Sequence, residues 1–81
     1  MNIEKLHIAA AKRLRILPTL LAHNKIEQNE YNTLKHYLSV MYKDIDIQRI
    51  MKNLAQYNAF VAQLRDENAK RILYIDLTEI S

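Results

Sequence analysis

Apolar residues recur every three or four positions through most of this chain. Ile3, Leu6, Ala10, Leu14, Leu17 and Leu21 trace one stripe, which predicts a helix over residues 3–23. Lys5, Lys12 and Arg15 fall on the opposite side, with Ile8 among them. Arg13 intrudes on the apolar flank, where its stem is expected along the core edge with its guanidinium in water. Pro18 cannot donate to the Leu14 carbonyl, so the helix either kinks there or ends near Ile16 and restarts. His23-Asn24-Lys25 supplies the first turn, with Asn24 as a left-handed cap. Ile26 leads into a second helix over residues 28–43, as a staple against Glu30 or Tyr31. Tyr31, Leu34, Tyr37, Leu38, Met41 and Tyr42 share its apolar face, while Val40 falls off the stripe.

Asp44-Ile45-Asp46 reads as the second turn, one of its carboxylates capping a third helix over residues 46–66. Ile47, Ile50, Leu54, Tyr57, Val61, Leu64 and Asn68 then alternate in steps of three and four. The seam runs too short for a sustained coiled coil and points to the core of a bundle. Ala55, Ala59 and Ala62 allow close helix approach beside it.

Asp66-Glu67-Asn68 interrupts the helical pattern. As a helix, residues 71–80 would point their apolar side chains all round; as a strand, Leu73, Ile75 and Leu77 share a face. The sequence therefore predicts a strand-like C-terminal tail over residues 70–81. No second strand is available to it within the chain. It must pack on the helices as an extended segment, pair with its twin in a dimer, or add to another protein's sheet. The expected fold is all-α: one domain over residues 1–81, a small three-helix bundle with an extended C-terminal segment.

Composition sharpens this picture. The chain has no glycine, one proline and no cysteine. Glycine-free sequences lack the usual residue for tight hairpin turns and cannot build a glycine-rich phosphate loop. Without cysteine there is no disulfide and no thiolate metal site. At 81 residues the core is small, so a partner subunit is a natural source of added stability. No apolar window is long enough to span a membrane and no signal-peptide pattern opens the chain, so a cytoplasmic location is expected. Ile, Asn, Lys and Tyr, all with AT-rich codons, make up 29 of the 81 residues and suggest a low-GC bacterial, phage or plasmid genome.

Charge is unevenly spread. The net formal charge is +3; residues 1–25 hold five bases against Glu4, a surplus of +4, and the remainder sums to −1. Catalytic chemistry finds no support. His7, His23 and His36 are too widely spaced for a compact metal site. Asp44 with Asp46, and Asp66 with Glu67, read as caps and solvated turns rather than acid/base pairs. Ser39 and Ser81 have no neighbouring base. Tyr31, Tyr37, Tyr42 and Tyr57 belong to apolar faces, which leaves Tyr74 available at the surface.

The expected function is non-enzymatic binding of another protein, or of a second copy of the chain, with no cofactor or metal. The picture is a small regulator, inhibitor or adaptor that occludes a partner's surface. The partner-binding candidates are Lys5, Ile8, Lys12 and Arg15 on the first helix and Leu73, Tyr74, Ile75 and Leu77 in the tail. A second reading is a dimeric nucleic-acid-binding regulator whose first helix rests on phosphates. A third is an immunity-type helical bundle at a membrane surface.

Overall fold

The computed structural model describes all 81 residues, Met1–Ser81. The fold is all-α. Helix α1 spans Ile3–Ala22, α2 Gln28–Lys43, α3 Ile47–Val61 and α4 Glu67–Leu73, and Leu77–Ile80 form a turn of 3-10 helix. α1 packs along α2 and α2 along α3, while α4 and the 3-10 turn close back onto α1.

Each boundary has a local cause. Asn2 caps α1 by accepting from the Lys5 N–H at 3.1 Å. α1 runs unbroken through Pro18. The proline is exposed, and buried Leu17 and Leu20 anchor the helix to the core on both sides of it. The helix ends as Asn24 turns left-handed, at φ 58°. Lys25 N–H then donates to Leu20 O at 2.9 Å and Asn24 N–H to Leu21 O at 3.0 Å. This bond pair is the Schellman closure, with asparagine in the place usually taken by glycine. Ile26 follows and is buried. At the head of α2, Glu30 reaches back to the Glu27 N–H at 2.8 Å. Asp46 caps α3, accepting from Gln48 N–H and Arg49 N–H.

The core joins Leu6, Ala10 and Leu17 of α1, Leu34, Leu38 and Met41 of α2, and Ile50, Leu54, Tyr57 and Val61 of α3. Leu14 and Leu21 lie at its edge. The third helix stops at Val61, short of the expected residue 66, although Leu64 of the seam is still buried. Ile47, expected to open the seam, is exposed instead.

The tail departs most from the sequence reading. Only Tyr74, Ile75 and Asp76 are extended; helical turns lie on either side. Two aspartates set this arrangement. Asp66 starts α4 by accepting from Ala69 N–H at 2.9 Å, and Asp76 starts the 3-10 turn by accepting from Thr78 N–H at 2.9 Å. Leu73 and Ile75 both enter the core, as their two-residue spacing suggested, but the next buried residue is Ile80, and Leu77 points outward. Asn2 N–H donates to Ile80 O at 2.7 Å and joins the tail to the start of α1.

Candidate interaction surfaces

Tyr74 and Ile75 find backbone partners without a second strand, because side chains of α1 and α3 supply them, while Asp76 N–H donates to Glu79 within the tail itself. Asn58 of α3 acts as a surrogate strand: its carboxamide donates to Ile75 O at 3.0 Å and accepts from Ile75 N–H at 3.1 Å. Tyr57 OH donates to Leu73 O at 2.5 Å. Arg13 of α1 donates through Nε to Leu73 O at 3.1 Å and through Nη2 to Tyr74 O at 2.9 Å. The same guanidinium bonds Ala9 O and grips both oxygens of Glu79, at 3.2 and 2.8 Å. A guanidinium suits this role, since its rigid fork serves several acceptors at once.

Arg13 is therefore the residue that the apolar stripe misplaces. Its guanidinium is not in water; the residue is 8% exposed and is the one charged residue in the core. No buried side-chain polar atom lacks a partner. Burial pushes the Tyr57 phenol above the usual tyrosine range, with the Glu79 charge adding to it and the Arg13 charge opposing it.

These bonds decide which tail residues face solvent. Leu73 and Ile75 are fully buried, and the Ile75 backbone is already paired with Asn58. Of the three arrangements open to the tail, packing on its own helices is the one that forms, and the Ile75 backbone is not free to pair with a twin or with another sheet. Tyr74 and Leu77 remain exposed on different surfaces: Tyr74 walls a groove between α3 and α4, while Leu77 lies beside Met1 and Met51.

The basic face of α1 is present as expected. Lys5, Ile8, Lys12 and Arg15 are all exposed along one stripe, and Ile8 is 48% exposed. Lys5, Lys12 and Arg15 take part in none of the chain's ion pairs. Lys5 bonds instead to the Ser81 carbonyl at 3.0 Å. Lys5, Ile8, Ala9 and Lys12 line a shallow depression closed on its far side by Glu79. Glu79 is itself paired with Arg13 at 2.8 Å.

Two features went unread in the sequence. One is the groove between α3 and α4, of about 600 Å³. Ala59, Val61 and Ala62 provide its apolar lining, Tyr74 a wall, and Glu67, Lys70 and Arg71 its charged rim. The other is the exposed Ile45 carried by the Asp44-Ile45-Asp46 turn, whose turn and cap the sequence does predict. Asp44 accepts from Ile45 N–H and Asp46 N–H and receives the Arg49 fork at 2.7 and 2.8 Å. These bonds hold the Asp44 carboxyl far below the usual carboxylate range, the Arg49 bond foremost. His7 Nε2 lies 2.8 Å from Asp44 O, and because a carbonyl only accepts, this nitrogen carries the proton. The braced turn presents Ile45 at 77% exposure, the most exposed large apolar side chain of the chain.

No three His, Asp or Glu side chains converge on a point that would hold a metal ion. No helix is long and apolar enough to cross a membrane. Compared with known protein families, curated proteins and solved structures, the chain matches none.

Proposed function

We propose that this chain is a non-enzymatic protein-binding module, a small regulator or adaptor that occludes an acidic surface of its partner with the outer face of α1. One observation carries the reading: Lys5, Lys12 and Arg15 stand exposed and without carboxylate partners along one stripe, with exposed Ile8 among them. Such a face offers an apolar anchor inside a ring of positive charge. Its cations speed encounter with an acidic surface, and its isoleucine gains by losing water. The arrangement suits a protein better than a phosphate backbone, because nucleic acid rewards cations and leaves Ile8 without a role.

The test compares the native chain with Ile8→Asp and with a Lys12→Glu/Arg15→Glu variant. Each is used as bait in extract of its own host cells, and every captured protein is then purified and titrated directly. A partner that binds the native chain and is lost by both variants supports the reading. A partner that binds all three equally overturns it. Anisotropy with random-sequence duplex DNA covers the nucleic-acid alternative. Binding that weakens with salt at a log–log slope near −0.9 per contacted phosphate, about −3 for three cations, would transfer the face to that class.

A further inference from the structure

Resting on the reading of α1 as the binding face, we propose that its partner presents an acidic amphipathic helix. That helix lies along α1 and seats apolar side chains in two successive holes on its surface.

Spacing is the first ground. The α1 residues around the shallow depression are Lys5, Ile8, Ala9 and Lys12. Positions i, i+3, i+4 and i+7 are the four that enclose one hole on a helix, the seat of a single side chain from a facing helix. Buried Ala9 forms the floor, exposed Ile8 a wall, and Lys5 and Lys12 the two ends. The next four residues at the same spacing, Lys12, Arg15, Ile16 and Thr19, are all exposed. Because α1 runs unbroken through Pro18, the second hole follows the first on one face.

The distance between the holes selects a helix as the occupant. Seven residues of α1 rise about 10.5 Å, and seven residues of a partner helix cover the same distance while returning nearly to the same face. Same-face side chains of a strand recur about every 6.6 Å, so a strand that filled one hole would turn its side chain away from the other.

Charge then selects an acidic helix from a different protein. Lys5, Lys12 and Arg15, less Glu4 on the same exposed side, leave +2 on this face. Glu79, across the depression, is balanced by Arg13. Lys12 closes one end of each hole, so an acid midway between the partner's two apolar residues meets it. A second copy of the chain offers no such helix. Glu27, Asp44, Asp46, Asp66, Glu67 and Glu79 are held in ion pairs. Glu30 and Asp76 accept capping bonds from backbone N–H groups, and Glu4 stands on the basic face itself.

Fluorescence anisotropy on the full chain with three labelled synthetic peptides tests this. The first is an alanine-rich peptide of about 20 residues, long enough to be helical in water. It carries two leucines at the spacing of the holes, with glutamates placed symmetrically between and beside them so that either direction along α1 serves. The second has lysine for every glutamate. The third keeps leucines and glutamates but has a central proline that breaks the helix. The first is expected to bind about tenfold more tightly than either of the others. Ile8→Asp and Ile16→Asp, one for each hole, should each weaken it by a similar factor, and Lys12→Glu/Arg15→Glu should reverse the preference toward the lysine peptide. Circular dichroism checks that each variant keeps its helix content. Equal binding of the proline peptide, or an Ile16→Asp variant that binds like the native chain, overturns the helix proposal and leaves α1 as the binding face. Absence of binding by the acidic helical peptide at about 1 mM also overturns it. The α1 reading itself then stands or falls separately, on whether a host partner is lost by Ile8→Asp and by Lys12→Glu/Arg15→Glu.

Discussion

Replacing Arg13 with alanine tests the account of the tail most directly. The guanidinium spans five contacts: the carbonyls of Ala9, Leu73 and Tyr74 and the two oxygens of Glu79. These losses are unequal. Leu73 O keeps its Tyr57 hydroxyl, and Ala9 O belongs to the interior of α1. Tyr74 O loses the side-chain donor that α1 provides. Breaking a fully buried ion pair costs roughly 3–5 kcal/mol. Glu79 is 36% exposed on its side chain, so water recovers part of its charge and the pair falls below that range. Adding one orphaned carbonyl at roughly 1 kcal/mol and the lost packing of the arginine stem brings the total to about 3 kcal/mol.

A loss of that size takes a large share of the roughly 4–12 kcal/mol expected for a domain of this length. It lowers Tm by roughly 12–24 °C at the sensitivity of small domains. Urea denaturation followed by circular dichroism measures it, with Arg13→Lys and Glu79→Gln as companions. Lysine keeps the charge but loses the fork, so Arg13→Lys should recover less than half. Glu79→Gln leaves three carbonyl contacts in place and should cost only about 1 kcal/mol. The reasoning is refuted if Arg13→Ala and Glu79→Gln cost the same. That result would make the surface-facing half of the pair the whole of its worth and the carbonyl clamp of no consequence.

Other consequences are checkable in the same assays. Asn58→Asp keeps an acceptor for Ile75 N–H but sets a carboxylate against Ile75 O, and should cost about 2 kcal/mol and speed hydrogen exchange at Ile75. Tyr57→Phe should cost about 1 kcal/mol, because Leu73 O retains Arg13 Nε. The folded state holds the Tyr57 proton more tightly than the unfolded state, so stability falls as pH rises above the ordinary tyrosine value of 10.0; Tyr57→Phe should flatten that alkaline limb of a Tm–pH profile. Asp44, Asp66 and Asp76 are all depressed by hydrogen bonds to their ionised forms. Their contribution is therefore complete above 3.8 and is lost as pH falls through the depressed values, and Asp44→Asn should make the acid limb shallower.

The helices were legible because their signals are local. The i+3/i+4 stripes of α1, α2 and α3 and the caps at Asn24 and Asp46 act within a few residues of where they are read. Pro18 left a choice between kink and break, since the resolving fact is tertiary: buried Leu17 and Leu20 hold both halves of α1 to one core. The tail was harder for the same reason. Leu73 and Ile75 carried a correct two-residue signal for burial, but nothing local shows that an asparagine 17 positions earlier would stand in for a strand. The aspartates at 66 and 76 were the available local clue, each placed to start a helical turn.

Arg13 shows how far such reading extends toward the surfaces that matter. On a helical wheel it is an arginine on the wrong flank, and the default is to let it snorkel. That default assumes the nearest unpaired acceptors are water. Here they are the carbonyls at the end of α4, which only the folded tail brings within 3.1 Å. Once Arg13 is committed inward and Lys25 is paired with Asp66, the positive charge of the first 25 residues divides into a buried clamp and an outer face of Lys5, Lys12 and Arg15. The clamp draws in the tail, burying Leu73 and Ile75 and leaving Tyr74 at the wall of the α3–α4 groove. One misplaced arginine thus removes two candidate contact residues from the surface and shapes the groove that replaces them.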